Sequence, residues 1–474
     1  MRHKVVIVLG ACAALVLTGS AGAAALTYTS DDGRPIGTWQ EAPGIARTPL
    51  AAVAEAPDAG TPGVDSSGRP SSPPGAAGPG TVAPGTLAPN AKSPAALPGT
   101  SHEVLPESAT EVPGRQRVGE MLRVDRLLDY LTGGPRKETF SYPGASYVKL
   151  HFNRMAMLPG DYLTVSNPSG TESYRYDAPK VLQTGAADKW AMSVTGDTAV
   201  LEMHQAAGNA LSSLLGTLGV RVDRVAKGFT RAQQQAQPES QLTAPGRSGR
   251  EESVCGSDTS SDAACYRSAD PVAYTKSKAI ARLLINGTEL CTGWRVGADN
   301  RMLTNNHCLT TSAEAYDTEV WFNYQCAQCG GYDVFQPTKV WGDKVLSTDH
   351  VLDYTLFTVG EFAAVQKFGY LVLDTARPVK GQELYVPQHP AGQPTKIAGS
   401  LGEKAGNCSV ADPAYTGYAA GSDVSYYCDT EGGSSGSPVI SRKTNKVIAL
   451  HHFGGCPNSG VRADLLAAKL RAYL

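Results

Sequence analysis

Apolar and polar residues first alternate regularly within residues 114–230. There, Val148, Leu150 and Phe152 alternate with polar neighbours, and "GVRVDRV" repeats the same period of two. Turn sequences such as "YPGAS", "LPGDY" and "NPSGTE" separate these runs. Short alternating strands between such turns predict a small β-sandwich.

A second region of short strands extends over residues 252–474. Its strand-like segments are "AIARLLINGTEL", which contains the hairpin dipeptide Asn286-Gly287, and then "EVWFNY", "YTLFTV", "ELYVP" and "NKVIALHHF". The last segment, "RADLLAAKLRAYL", has apolar residues at helical spacing and predicts a terminal helix. Together the two regions predict an all-β protein with two folded units.

Residues 1–25 carry the features of a secretory signal. The charged start "RHK" precedes an apolar run from Val5 to Leu17, and the small residues "AGA" follow. The apolar run is short for a membrane span, which disfavours the competing interpretation of an uncleaved anchor. The sequence therefore predicts a secreted, extracellular protein.

Two segments have the composition of linkers. Residues 26–113 are dominated by Pro, Gly, Ala, Ser and Thr, and hold too few apolar side chains to offset the entropy of ordering. We expect this segment to be disordered. Residues 231–251 are polar and predict an exposed linker, in which Arg247 and Arg250 are candidate processing points.

Charge and cysteine content narrow the choice of function. The 474-residue chain has a formal net charge of −2 and lacks basic runs, so we expect no nucleic-acid binding. Nine of its ten cysteines lie beyond residue 250, and export favours disulfides, so the C-terminal unit should be the disulfide-bonded one. The odd number leaves one thiol that is free or pairs elsewhere.

The first unit is rich in aromatic side chains. They could line a surface for sugars or peptides, although packing within the core or between strands is the alternative. The residues are Tyr142, Tyr162, Tyr174, Tyr176 and Trp190.

Three segments of the C-terminal unit together indicate a nucleophilic serine. Ser435 lies in the Gly-rich "CDTEGGSSGSPV", His307 lies in "RMLTNNHC", and Asp353 begins the alternating strand "DYTLF". Serine needs a base to become a nucleophile, and the base needs an acid to orient it. The order His, Asp, Ser is one of three known for this triad. Asp349 is a rival for the acid, but no alternating strand follows it directly.

These segments resemble the motifs of chymotrypsin-fold serine peptidases, especially the secreted bacterial branch with lysyl and glutamyl endopeptidases. The resemblance covers residues 252–474. It implies a chymotrypsin-like unit of two six-stranded β-barrels with the site between them. It also implies a serine endopeptidase that hydrolyses peptide bonds through an acyl-enzyme, acting on protein or peptide substrates.

The resemblance assigns roles to individual residues. Ser435 would be the nucleophile, His307 the general base and Asp353 its orienting acid. The N–H groups of Gly433 and Ser435 would form the oxyanion hole. The neighbouring serines at 434 and 437 are rivals for the nucleophile, but the "GxSGxP" frame favours Ser435.

The cysteines fit the lysyl endopeptidase group. By analogy we expect Cys255–Cys456, Cys265 with either Cys326 or Cys329, and Cys291–Cys308, and we add Cys408–Cys428. The "CxxC" at 326–329 has no second pair at zinc spacing, so we expect no metal, and we expect no cofactor.

The sequence leaves the cleaved bond open. Asp429 falls where the trypsin branch keeps its pocket acid, which favours Lys or Arg at P1. His451, with Thr430 as helper, matches the histidine of glutamyl endopeptidases and favours an acidic P1. Gly454 is assigned to the same substrate-binding pocket. In a third interpretation, Asp429 is structural, because Asp-Thr before a Gly-rich turn commonly hydrogen-bonds its own backbone.

Other functional classes are weaker. A catalytically silent, peptidase-fold binding or adhesion protein usually lacks a triad member, and this chain has all three. An α/β-hydrolase esterase requires Ser before Asp before His. Ser434 replaces the aspartate that pairs with a new N-terminus in digestive enzymes, so that activation route is not expected. We expect a monomeric zymogen whose β-sandwich is a removed propeptide or a module that contacts polysaccharide or cell surfaces.

Overall fold

The computed structural model describes residues 39–40, 103–104, 112–129, 136–180, 182, 186–206, 218–236, 254–331, 333–399 and 408–474. The predicted signal over 1–25 and the candidate processing points Arg247 and Arg250 lie outside these residues. Within the described part of the chain, no helix is long and apolar enough to cross a membrane.

Most of the strands that precede residue 230 form two sheets. The strands are β1 (Trp39–Gln40), β2 (Glu103–Val104), β3 (Gln116–Arg117), β4 (Gly119–Asp129), β5 (Lys137–Ser141), β6 (Tyr147–Ala156), β7 (Tyr162–Ser166), β8 (Glu172–Asp177), β9 (Ala186–Trp190), β10 (Val194–Thr195), β11 (Thr198–His204) and β12 (Gly219–Gly228). One sheet has the order β1-β8-β7-β11-β5, and the other β10-β6-β12-β4-β2, with β9 paired to β6. Both sheets contribute to one hydrophobic cluster, which includes Leu150, Phe152 and Leu201.

Three short elements lie in segments that the sequence analysis assigned to linkers. β1 pairs with β8 and β2 pairs with β4, although both fall within the stretch predicted to be disordered. Helix α1 (Arg231–Gln235) falls within the predicted linker. Its start is a capping box, in which the Thr230 side chain accepts from Gln233 N and the Gln233 side chain accepts from Thr230 N. Local hydrogen bonding of this kind gives little signal in hydrophobic patterning.

Two of the aromatic side chains for which a surface role and core packing were both considered lie in the core. Tyr174 is fully buried and Tyr176 is 2% exposed. Their hydroxyl groups are used internally, because Tyr174 donates to Glu172 and Tyr176 accepts from Met192 N. The alternative of core packing is therefore correct for these two residues.

The polar face of β6 is also buried, which its alternating sequence did not indicate. Lys149 and His151 are each 1% exposed. This face lies against the C-terminal unit, where Lys149 pairs with Glu319 at 2.9 Å and the Tyr147 hydroxyl donates to Gly287 O at 2.8 Å. The two units therefore share a packed interface.

The C-terminal unit is built from strands with a few short helices. The strands are β13 (Ser261–Asp262), β14 (Ile280–Ile285), β15 (Glu289–Arg295), β16 (Met302–Thr304), β17 (Glu319–Phe322), β18 (Thr338–Asp349), β19 (Tyr354–Val359), β20 (Leu384–Gln388), β21 (Lys396–Ala398), β22 (Val410–Tyr415), β23 (Asp423–Tyr426), β24 (Pro438–Ser441), β25 (Val447–Phe453) and β26 (Asn458–Arg462). The α-helices are α2 (Tyr266–Ala269), α3 (Pro271–Ser277), α4 (Ser312–Tyr316), α5 (Phe362–Val365) and α6 (Ala463–Leu470), and 3-10 turns cover Ala263–Cys265, Gln366–Phe368 and Pro390–Gly392. The predicted terminal helix is thus confirmed as α6.

Six of these strands close into a barrel. Their order is β14-β17-β18-β19-β16-β15, and pairing of β14 with β15 completes the circle. The predicted hairpin at Asn286-Gly287 is confirmed, with φ of 51° and 77° as its tight turn requires. Strand β3, at the start of the first unit, pairs with Glu289 and Leu290 of β15.

The second barrel follows the same plan. The order β20-β24-β25-β26-β23-β22 forms a curved sheet. Its two ends meet through backbone hydrogen bonds from Leu384 N to Cys408 O and from Val410 N to Gln382 O. The all-β prediction, with a chymotrypsin-like C-terminal unit, is therefore confirmed.

Four disulfides hold the C-terminal unit together. They are Cys255–Cys456, Cys265–Cys329, Cys291–Cys308 and Cys408–Cys428. Assignment of Cys326 to a disulfide is wrong, because Cys265 bonds to Cys329 and Cys326 is the buried free thiol. Burial raises the pKa of the Cys326 thiol to about 11, so it stays protonated at neutral pH.

Candidate active site

The centre of the candidate site is the pair of His307 and Asp353. Asp353 lies in the turn before β19, and His307 follows β16. His307 Nδ1 lies 2.8 Å from Asp353 Oδ2, and His307 N donates to Asp353 Oδ1 at 3.0 Å. The carboxylate therefore fixes both the backbone and the ring of the histidine.

Asp353 is held as a carboxylate. Burial alone would raise its pKa, but the charges and hydrogen bonds of His307 and His452 hold the pKa well below its usual range. The rival Asp349 lies elsewhere, because its Oδ2 pairs with Lys469 at 2.9 Å and its Oδ1 accepts from Val351 N. The structure brings Asp353, and not Asp349, to the histidine.

Ser435 lies on a turn that joins both barrels. Its carbonyl accepts from Thr292 N of β15 at 2.8 Å, and Gly436 N donates to His451 O of β25 at 3.0 Å. Gly436 has φ of 88°, and a Cβ atom there would overlap Thr292 O, so the close approach requires glycine. The two barrels therefore position this turn together.

The neighbouring residues of this turn have other surroundings. Gly433 has φ of 96°, and its carbonyl accepts from Thr292 Oγ1 at 2.8 Å. Ser434 Oγ accepts from Glu431 N at 3.2 Å, which ties that hydroxyl to its own turn. Ser437 is fully buried. The predicted oxyanion donors, Gly433 N and Ser435 N, lie on the same turn.

The third contact of a triad is not formed. His307 Nε2 is buried and has no hydrogen-bond partner among the described residues, so it does not bond to Ser435 Oγ. A Cβ atom on Gly114 would lie 2.5 Å from His307 Cδ2 and 2.7 Å from Nε2. The backbone of Gly114, at the start of the first unit, therefore lies directly against the imidazole.

Asp429 is occupied by the start of the C-terminal unit. Its Oδ1 accepts from Cys255 N at 3.0 Å, and its Oδ2 accepts from Thr259 N at 2.8 Å and Thr259 Oγ1 at 2.6 Å. The residue is 4% exposed. Asp429 therefore has structural contacts, but its partners are distant in sequence and not the backbone of its own turn.

The other predicted pocket residues lie on neighbouring segments. Thr430 is buried, and its Oγ1 has no hydrogen-bond partner within the described chain. His451 is buried in β25, and its Nδ1 lies 2.7 Å from the Tyr426 hydroxyl. Burial, together with the charges of His452 and His307, lowers the pKa of His451 to about 3, so its ring is neutral. Gly454 follows the end of β25 and is half-buried.

Sequence reasoning missed two features of the site. The first is the approach of Gly114 to His307, because residue 114 is predicted to begin the β-sandwich and not to contact the peptidase unit. The second is Asp423 of β23, which contacts His452 beside Asp353. The double histidine in "ALHHF" was a signal for the second feature, but nothing local to Asp423 marks it.

Comparison with known proteins identifies the unit that carries this site. Residues 291–450 match the family model of the trypsin-like peptidase domain. The chain contains a trypsin-like peptidase domain. The barrels, the disulfides and the His307–Asp353 pair described above all belong to the unit around this domain.

Two curated relatives share part of the chain. The Secreted RxLR effector protein 73 of Plasmopara viticola is 39% identical over 231 residues, which cover 47% of this chain and 56% of that protein. The Uncharacterized protein y4fB of Sinorhizobium fredii is 27% identical over 192 residues, covering 38% of this chain and 28% of that protein. The chain thus spans about half, or less, of the length of these relatives.

A solved structure is similar to the peptidase domain. The structure of Glu endopeptidase in complex with MPD matches 46% of this chain and 98% of that chain, with 18% identity and a TM-score of 0.34.

Proposed function

We propose that the protein is a secreted serine endopeptidase in which Ser435 attacks the peptide carbonyl, His307 accepts the proton and Asp353 orients His307. The observation that carries this proposal is the double hydrogen bond of Asp353 to His307, buried in a trypsin-like peptidase domain. Gly433 N and Ser435 N would stabilise the oxyanion of the acyl transfer. The signal-like residues 1–25 and the four disulfides support secretion.

We further propose an acidic residue at P1. The carboxylate of Asp429 is already used by Cys255 and Thr259, so it is not available to bind Lys or Arg. The buried Thr430 hydroxyl has no partner among the described residues and, with the imidazole of His451, offers hydrogen bonds to a substrate carboxylate. Gly454 would contribute to the wall of this pocket.

A peptide library with varied P1 residues tests both parts of this proposal, with Ser435→Ala measured in parallel. We expect cleavage after Glu or Asp, and no cleavage by Ser435→Ala. Cleavage after Lys or Arg would instead mean that Asp429 binds the P1 side chain. Equal cleavage by Ser435→Ala would overturn the triad. If neither protein cleaves any peptide once the active-site cleft is open to substrate, the chain is instead a peptidase-fold binding protein.

The full-length chain is proposed to be a latent zymogen in which residues 112–118 block the cleft. Gly114 lies against His307, and β3 continues β15 as an antiparallel strand at Glu289–Leu290, as peptides do when they add to a sheet edge. Gln116 is 3% exposed and contacts Gly432, so the segment also covers the turn before Ser435. A substrate could not reach Ser435 while this segment is bound.

Arg115 anchors the blocking segment. Its side chain is buried, pairs with Glu289 at 3.0 Å and Glu314 at 2.6 Å, and donates to His307 O at 3.2 Å. The anchoring residues belong to the first barrel, so the segment is held by the domain that it blocks. The first unit is then the pro-part of the chain, and cleavage near Arg247 or Arg250 would separate it.

Gly114→Ala tests the block in the full-length chain. Its φ of 88° and its contact with His307 leave no room for a Cβ atom, so the segment should leave the cleft. We expect labelling by a fluorophosphonate probe to become at least about tenfold faster, because a loss of about 1.4 kcal/mol in the binding of the segment to the cleft makes the open state tenfold more populated. Gly170→Ala is the matched control, because it has φ of 71° but nothing within 4 Å. Equal labelling of wild type and Gly114→Ala would contradict the block.

A further inference from the structure

His452 lies between two buried carboxylates, one of which belongs to the proposed triad. Its Nδ1 is 3.1 Å from Asp353 Oδ2, and its Nε2 is 2.7 Å from Asp423 Oδ2. The three side chains are between 0% and 2% exposed. Water therefore contributes little to their mutual interaction.

The geometry determines the charge of the ring. A neutral imidazole has one N–H group, and it can donate to both carboxylates only as the imidazolium. Asp423 is itself fixed as an acceptor, since Ser422 Oγ donates to its Oδ1 at 2.8 Å and Ser459 Oγ donates to its Oδ2 at 2.9 Å. Burial alone would lower the pKa of His452, but Asp423 and Asp353 raise it to about 9. His452 is therefore a cation at neutral pH.

The remaining titratable neighbours do not neutralise this cation. His451, next along β25, is neutral, and His307 lies on the far side of Asp353. Tyr418 packs edge-on against His452 with ring centroids 6.0 Å apart, and the exposed His350 lies beyond Tyr418. The charged groups that face the cation are thus Asp353 and Asp423.

We infer that His452 and Asp423 are positioning residues that extend the catalytic chain to Ser435–His307–Asp353–His452–Asp423. This inference rests on the proposed function of the triad. Asp353 Oδ2 accepts from both His307 Nδ1 and His452 Nδ1, so the two rings share one carboxylate oxygen. The positive charge of His452 reduces the electrostatic stabilisation that Asp353 gives to a protonated His307. The negative charge of Asp423 partly offsets this reduction.

The inference predicts a shift of the pH profile. His307 must be neutral to act as the base, and a nearby cation opposes its protonation. Replacing His452 by a neutral side chain removes that opposition while both carboxylates remain. The base is then protonated at a higher pH, and activity on the acidic side is lost earlier as the pH falls.

The test compares kcat/KM between about pH 4 and about pH 9 for the full-length chain after trypsin treatment and removal of trypsin. His452→Gln should move the acidic midpoint upward by about one pH unit, the size that one buried neighbouring charge produces. In His452→Gln with Asp423→Asn, a negative charge is removed as well, and the midpoint should move back toward the wild-type value. His350→Gln is the matched control and should leave the profile unchanged.

An unchanged midpoint in folded His452→Gln, with Ser435→Ala inactive, would overturn this inference and leave the triad intact. Cleavage by Ser435→Ala as fast as wild type would instead overturn the proposed function. If His452→Gln does not fold, His452→Ser replaces it, because its smaller side chain leaves room for water between the carboxylates. A fall in kcat without a shift of the midpoint would mean that His452 contributes to packing around Asp353 and not to the charge of the site.

Discussion

Asp353 combines an unusual backbone conformation with several contacts of its side chain. Its φ of 40° lies in the left-handed region, which Asp and Asn tolerate better than most residues. In this conformation one oxygen reaches the His307 backbone N–H, and the other reaches the rings of His307 and His452. The conformation of one residue therefore sets the orientation of the proposed base.

Asp353→Asn should leave the protein folded but lower kcat by on the order of 10⁴-fold. Asparagine tolerates the same backbone conformation, but its amide cannot accept from both His307 donors or stabilise the protonated ring. Kinetics with the preferred P1 peptide measure the effect. Asp349→Asn is the control, because that carboxylate pairs with the exposed Lys469 and should change kcat little. An equal loss in both variants would contradict the assignment.

The cation at His452 also predicts how stability depends on pH. Because its pKa rises from 6.5 to about 9 on folding, its contribution is complete below about pH 6.5 and is lost as the pH rises through 9. The stability advantage of wild type over His452→Gln should therefore fall by on the order of 3 kcal/mol between these values. Denaturant unfolding at both ends of the range measures it. A constant difference would show that the ring is neutral in the folded protein.

The turn that carries Ser435 depends on strand β15. Thr292 of that strand donates its N–H to Ser435 O and its hydroxyl to Gly433 O. The adjacent Cys291 is bonded to Cys308, next to His307. Strand β15 thus links the proposed nucleophile to the proposed base.

Removing this disulfide with Cys291→Ala and Cys308→Ala should affect the site as well as the fold. Its closed loop of 17 residues corresponds to about 3 kcal/mol of stability. Because the bond adjoins His307, we also expect slower fluorophosphonate labelling of the folded protein. Removing Cys265–Cys329, which closes a loop of 64 residues, should cost about 4 kcal/mol and leave labelling unchanged. Equal labelling of both variants would contradict the link through β15.

The two units exchange charges across a buried interface. Lys149 of the first unit pairs with Glu319 of the peptidase unit at 2.9 Å, and Lys339 of the peptidase unit pairs with Glu172 of the first at 2.7 Å. All four side chains are at most 1% exposed. If an uncharged surface replaced either unit, the other unit would keep a buried charged side chain without its ion-pair partner, which is energetically costly.

Lys149→Met should therefore destabilise the full-length chain by about 3–5 kcal/mol, because Glu319 stays buried without this cation. Lys227→Met is the control, since its ion pair with Glu120 is about one-fifth exposed and should contribute at most about 1 kcal/mol. Urea unfolding of the full-length chain compares the two variants. Equal losses would mean that the interface charges are solvated.

The features that could be predicted from the sequence are those determined by residues close together in the chain. The hairpin at Asn286-Gly287 and the terminal helix follow from turn chemistry and spacing. The choice between Cys326 and Cys329 could not be made, because both stand at the same short spacing and only the position of Cys265 decides it. The contacts of Asp429 and the burial of Lys149 depend on segments far away in sequence. The periodicity of apolar residues along the chain carries no information about such contacts.

The most direct test of the central claim is chemical labelling of the nucleophile. Full-length Gly114→Ala is reacted with a fluorophosphonate probe, and the modified residue is identified by peptide mass spectrometry. We predict a single adduct on Ser435, and none when His307→Ala is added. Labelling at another residue, or labelling of Ser435 that does not depend on His307, would contradict the assignment of this chain as a serine peptidase with the proposed triad.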